Sequence, residues 1–93
     1  MTIPEGSKSF EMLFDELSAR AASGDQSSRT VELLALGTHT IGKKIVEEAA
    51  EVWMAAEYQT KDDLAEEISQ LIYHLQVLMH AHDLKPADIY KFL

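Results

Sequence analysis

THTIGKKIVEEAAEVWMAAEYQTKDDLAEEISQLIYHLQVLMHAH, residues 38–82, decides how this chain folds. In its first half Ile41, Ile45, Ala49, Val52 and Ala56 recur at the spacing of one helical face. Thr38 or Thr40 is available to cap that helix, which is expected to run to about Tyr58. Gln59-Thr60-Lys61-Asp62 has the composition of a turn, with Thr60 or Asp62 as the next cap. A second long helix follows to about His82, its stripe formed by Leu64, Ile68, Leu71, Leu75 and Leu78. Two long helices joined by so short a connection predict an antiparallel hairpin. The second helix also carries Tyr73, Val77 and Ala81 on the side away from its stripe. Such a helix needs more than one apolar partner, which means either a homodimer or deep burial within one chain.

Outward from this segment the signals are shorter but still helical. Phe10, Leu13, Phe14 and Leu17 predict an amphipathic helix from Lys8 to about Ala22, capped by Ser7 or Ser9. Ser23-Gly24-Asp25-Gln26-Ser27-Ser28 reads as a loop, and Arg29 to Leu36, before Gly37, as a short helix. Pro86 suits the first turn of a last short helix carrying Ile89 and Phe92. No stretch alternates as a strand does. The expectation is an all-α chain: a flexible tail over 1–7, then one domain over 8–93 whose hairpin, with its short flanking helices, becomes a helical bundle through homodimerisation.

Composition narrows the function. The 93 residues carry a net charge of -8, which argues against nucleic acid as a partner, because that binding rests on Lys and Arg displacing counterions from phosphates. With no cysteine, no long apolar run and no signal-like N-terminus, the expected setting is the cytoplasm, without a membrane partner. The same acidity would repel a phosphorylated substrate unless a cation and local bases offset it.

A turn of about 100° per residue places Glu48 about 60° from Ile45, at the border of the apolar stripe, with Lys44 and Glu51 further along the same flank. Glu47 points further outward. On the second helix Glu67, His74, Asp63 and Gln70 line one flank of the Ile68 stripe. Packing the two stripes brings Glu48 and Glu51 towards Glu67 and Gln70. Carboxylates gathered in this way are either a solvated face or the oxygen ligands of a hard cation, for which magnesium is the natural choice. His39, His80 and His82 have no supporting pattern, and Trp53, Met54 and Met79 read as packing.

The pair Glu48-x-x-Glu51 and Glu67-x-x-Gln70 resembles the mark of the all-α nucleoside-triphosphate pyrophosphohydrolases, E-x-x-E followed by E-x-x-D. From about Phe10 to Leu93 the chain more narrowly resembles the phosphoribosyl-ATP pyrophosphohydrolase family. Ser28-Arg29-Thr30, Gly37, the run Lys44 to Glu51 and the run Glu67 to His74 carry the likeness. The resemblance implies Mg²⁺-dependent hydrolysis of phosphoribosyl-ATP to phosphoribosyl-AMP and pyrophosphate, in histidine biosynthesis. It further implies Glu48, Glu51, Glu67 and Gln70 as metal ligands, with Glu47 and Glu48 as catalytic carboxylates. Arg29, Thr30, Lys43, Lys44 and His74 would contact substrate. Gln70 departs from the family's aspartate and brings an oxygen without a charge: either it acts through a water, or Asp63 or Glu66 supplies the missing charge. Two other readings compete: a housekeeping hydrolase of nucleoside triphosphates on the same scaffold, and a non-catalytic helical dimer whose glutamates are merely solvated.

Overall fold

A computed structural model describes residues 2–93, and every regular element in that range is helical. Met1, the first residue of the expected tail, lies outside the described residues. Helix α1 spans Phe10–Ser23; the Ser9 hydroxyl accepts from the Met12 amide at 3.1 Å, and Gly24 ends the helix at φ 65°, a left-handed position that favours glycine. Helix α2, Arg29–Leu36, is capped by Ser28. Gly37 alone separates it from α3, Thr38–Tyr58, and its φ of 96° lets the chain turn within one residue. Neither Thr38 nor Thr40 caps α3, because helical geometry already begins at Thr38, whose hydroxyl instead meets His82 Nε2 at 3.0 Å. Helix α4, Lys61–Ala81, begins with a capping box in which Thr60 and Asp63 each bond the other's backbone amide. Helix α5, Pro86–Tyr90, closes the chain against α1 through a hydrogen bond from the Tyr90 hydroxyl to Glu11.

Leu17, Leu33, Ile41 and Val77, one from each of the four longer helices, are fully buried together. Leu13, Leu34, Ile45, Tyr73 and Leu78 pack around them. Each such side chain stabilises the fold by roughly 1.5–3 kcal/mol relative to leaving it in water. The most extensive contact between two elements is that of α3 with α4.

That contact is rotated relative to the sequence expectation. On α3 the less exposed positions include Ile41, Ile45, Glu48, Val52 and Ala55, whereas Ala49 and Ala56 face solvent. On α4 they include Leu64, Glu67, Leu71, His74 and Leu78. Both sets step alternately by four and three, the average of 3.5 that keeps two helices in register as they wind together, where the expected line on α3 drifted off that seam. Tyr73 and Val77, on the side away from the expected stripe, are part of the monomer core, as burial within one chain requires, while Ile68 and Leu75 remain 41% and 42% exposed. Trp53 and Met54 do not pack inside this chain either; they are exposed, and so is Phe92, whereas Met79 is buried.

Two buried polar groups tie the short helices to this frame. Gln76, fully buried, donates through Nε2 to the Phe10 carbonyl at 2.9 Å. The Thr30 and Tyr73 hydroxyls share a hydrogen bond of 2.8 Å, and Thr30 has no exposed surface. Tyr73→Phe leaves the Thr30 hydroxyl buried without that partner, and the expected cost is about 1–3 kcal/mol. Urea unfolding of both proteins checks it; equal midpoints would show that the bond contributes nothing.

Candidate metal centre

Glu48 and Glu67 sit on facing seam positions of α3 and α4, and Glu51 lies one turn beyond Glu48. One carboxylate oxygen from each of the three falls within 4.8 Å of the others. Glu48 and Glu67 are partly buried and Glu51 is exposed, so the cluster opens to solvent on one side. Glu48 Oε2 is buried with no hydrogen-bond partner, a costly state for a carboxylate oxygen unless a cation completes it.

The electrostatics reflect this crowding. Burial, then the adjacent Glu51 carboxylate, push the Glu48 carboxyl above its ordinary 4.5, while His74 and Lys44 pull weakly the other way. Desolvation and then Glu51, with smaller contributions from Glu48 and Glu66, push Glu67 upward too. Three anionic oxygen donors at such separations suit a hard divalent cation, which takes oxygen ligands and leaves positions for water and phosphate. Their crowding is an observation that a solvated face does not require.

The remaining site residues fall into place around this cluster, or away from it. Lys44 pairs with Glu47 at 3.2 Å rather than with Glu48 one turn on. Asp63 is spent on the capping box and does not join the cluster, and the Gln70 backbone carbonyl accepts from His74 Nδ1 at 2.8 Å. That bond fixes the buried His74 ring. Arg29 is ion-paired with Glu32 at 2.6 Å. Thr30, expected to touch substrate, is turned into the core by its bond to Tyr73 and has no surface to offer. Ser28 caps α2 and Gly37 turns the chain, the local roles their types allow.

Thr38, His39, Gly42, Lys43, Val46 and Glu47 line an open groove of about 470 Å³ along α3. Four of these residues, Thr38, His39, Gly42 and Val46, were not singled out as a site by the sequence. The one available signal was a glycine in the interior of a long helix, where alanine is more stable by about 0.5–1 kcal/mol.

A sequence profile described as phosphoribosyl-ATP pyrophosphohydrolase matches residues 8–93. The chain belongs to the phosphoribosyl-ATP pyrophosphohydrolase family. It is 62% identical over 87 residues to a protein of Streptomyces avermitilis named phosphoribosyl-ATP pyrophosphatase, covering 92% of this chain and 97% of the relative. Proteins of the same name from Streptomyces coelicolor and Bifidobacterium adolescentis are 61% and 60% identical, each over 92% of this chain and over 97% and 99% of their own lengths. The matched span of the phosphoribosyl-ATP pyrophosphohydrolase family includes all three clustered glutamates.

Because folding raises the proton affinity of Glu48 and Glu67, their contribution to stability is in place below about pH 4.5 and is lost as pH rises through their higher folded-state values. Glu11, Glu16 and Asp25 shift downward and act in the more acidic range. In a chelating buffer the melting temperature is therefore expected to fall as pH rises from that point towards neutrality. Glu48→Gln should flatten the fall and melt above the wild type at neutral pH. Parallel profiles, with the variant melting lower, would contradict this.

Proposed function

We propose that this chain hydrolyses phosphoribosyl-ATP to phosphoribosyl-AMP and pyrophosphate in histidine biosynthesis, at the point where Glu48, Glu51 and Glu67 converge. The convergence of three carboxylate oxygens within 4.8 Å carries the reading, in a chain of the phosphoribosyl-ATP pyrophosphohydrolase family. Glu48, Glu51 and Glu67 would hold magnesium, which when bound neutralises phosphate charge and polarises the phosphoanhydride. Gln70 would add a neutral oxygen, directly or through a water, so the charge comes from the three glutamates. Lys44, held by Glu47, and the neighbouring Lys43 bring positive charge to an otherwise acidic surface, which lowers the barrier to a polyphosphate. Glu47, one residue from Glu48 and paired with Lys44, would orient the attacking water or accept its proton. His74, held by the Gln70 carbonyl, would touch phosphate or steer a ligand. Chemistry of this kind asks the protein for positioning and charge, not for a nucleophile.

The same reading takes residues 8–93 as one domain and places the chain in the cytoplasm, as suits a biosynthetic step. Among the described residues no helix is long and apolar enough to cross a membrane. An antiparallel α3–α4 hairpin is supported by the two-residue link between the helices, by the Thr38–His82 hydrogen bond and by the approach of Glu51 to Glu67. Homodimerisation is supported by the apolar side chains that one chain leaves uncovered, Ile68 and Leu75 on α4 with Trp53 and Met54 on α3.

Pyrophosphate release from phosphoribosyl-ATP, measured beside a panel of nucleoside triphosphates, tests the activity. Turnover should favour phosphoribosyl-ATP and vanish in chelator. Loss of one charged ligand removes several kcal/mol of transition-state stabilisation, so Glu51→Gln and Glu67→Gln should each lower kcat/KM by about 10²–10³. Turnover indifferent to chelation, or faster on the common triphosphates, would refute the assignment. Sedimentation should give a species of twice the 10.4 kDa chain mass, shifting to the single chain in Leu75→Glu; a monomeric wild type would remove the dimer.

A further inference from the structure

A buried hydrogen bond fixes where helix α2 begins against α4. The Thr30 and Tyr73 hydroxyls meet at 2.8 Å in the first turn of α2, and Thr30 has no exposed surface. At its other end α2 passes through Gly37 into Thr38, whose hydroxyl meets His82. Between these two ties Leu33 of α2 shares the core with Val77 of α4. The eight residues of α2 span roughly 12 Å, and the stretch of α4 from Tyr73 to His82 spans roughly 13–14 Å. Helix α2 therefore lies along α4 in the same direction, and its N-terminus faces the turns of α4 that precede Tyr73.

Those turns carry the site. Gln70 and Glu67 stand three and six residues before Tyr73, roughly 4–5 Å and 9 Å back along the helix axis. Around the helix Gln70 is within about 60° of Tyr73, Val77 and Glu67, so it joins the face that α2 covers to the flank that holds the carboxylates. Arg29, the first residue of α2, is adjacent to Thr30 and lies at that end. Its ion-pair partner is Glu32 of its own helix, and both side chains are about half exposed, a surface pair that a phosphate can displace. Resting on the functional reading above, we propose that Tyr73 is a positioning residue for the reaction: through Thr30 it holds Arg29 at the edge of the carboxylate cluster, where the guanidinium grips the substrate's phosphates. The planar fork of an arginine suits that contact, provided its backbone is held in place. Thr30, expected to touch substrate, then acts indirectly, as the link between Tyr73 and Arg29.

Tyr73→Phe keeps the ring edge-on to His74, 5.0 Å between centroids, and cuts only the hydroxyl link. The test measures kcat and KM for phosphoribosyl-ATP, on the full chain with magnesium present, in Tyr73→Phe, Arg29→Gln and the variant carrying both. Arg29→Gln should raise KM about tenfold, the loss of one charge-assisted contact, and Tyr73→Phe about threefold to fivefold, with kcat near wild type in both. Because Tyr73 acts through Arg29, the combined variant should be no worse than Arg29→Gln, whereas independent effects would multiply to roughly thirtyfold to fiftyfold. Stability is controlled by pairing Tyr73→Phe with Thr30→Val, which leaves neither hydroxyl buried without a partner. That pair is expected to unfold near the wild-type midpoint while its KM stays raised. A KM that returns to wild type together with the midpoint overturns the proposal, because the link would then be structural only. Multiplying losses, or a wild-type KM in either single variant, overturn it as well, and each of these results leaves the functional reading intact. A wild type inactive on phosphoribosyl-ATP removes that reading, and this inference with it.

Discussion

Two of the positions at which α3 and α4 pack together are occupied by carboxylates. In a seam where helices touch, apolar side chains stabilise the pair, and a glutamate there is desolvated with its charge unanswered. Glu48 and Glu67 occupy such positions, and Glu51 adds a third carboxylate at their open side. The raised carboxyls of Glu48 and Glu67, and the unpartnered Glu48 oxygen, are consequences of that placement. The four-helix contact of Leu17, Leu33, Ile41 and Val77 supplies the frame that holds the glutamates together despite their repulsion. Stability given up at the seam is what a cation would restore.

Much of this frame was legible in the sequence because local signals and periodicity agreed. Ser9, Ser28 and Thr60 cap helices as their types suggest, and Gly24 and Pro86 mark a helix end and a helix start. What could not be read was rotation. A helical wheel at 3.6 residues per turn placed Ala49 and Ala56 towards the core, but the neighbouring helix draws the seam to 3.5, which brings Glu48 and Ala55 inward instead. The same rotation turned Tyr73 into the core and left Leu75 outside. Thr30 illustrates a second limit: only the position of Tyr73, forty-three residues away, decides that its hydroxyl faces inward.

The candidate site followed a similar division. Two glutamates three apart on one helix and a Glu-x-x-Gln pair on the next pointed to Glu48, Glu51 and Glu67, and the structure brings these three together. Asp63 had the right charge and the wrong neighbour, since Thr60 claims it for a capping box. Lys44 had two acidic partners within reach along the helix and takes Glu47.

The account turns on whether the crowded glutamates bind a divalent ion. Calorimetric titration of magnesium into the metal-free protein measures this without reference to turnover. A saturable binding event is predicted for the wild type, lost in the Glu51→Gln, Glu67→Gln double variant. An identical titration in both proteins, or no magnesium binding by the wild type even with pyrophosphate present, would contradict the account.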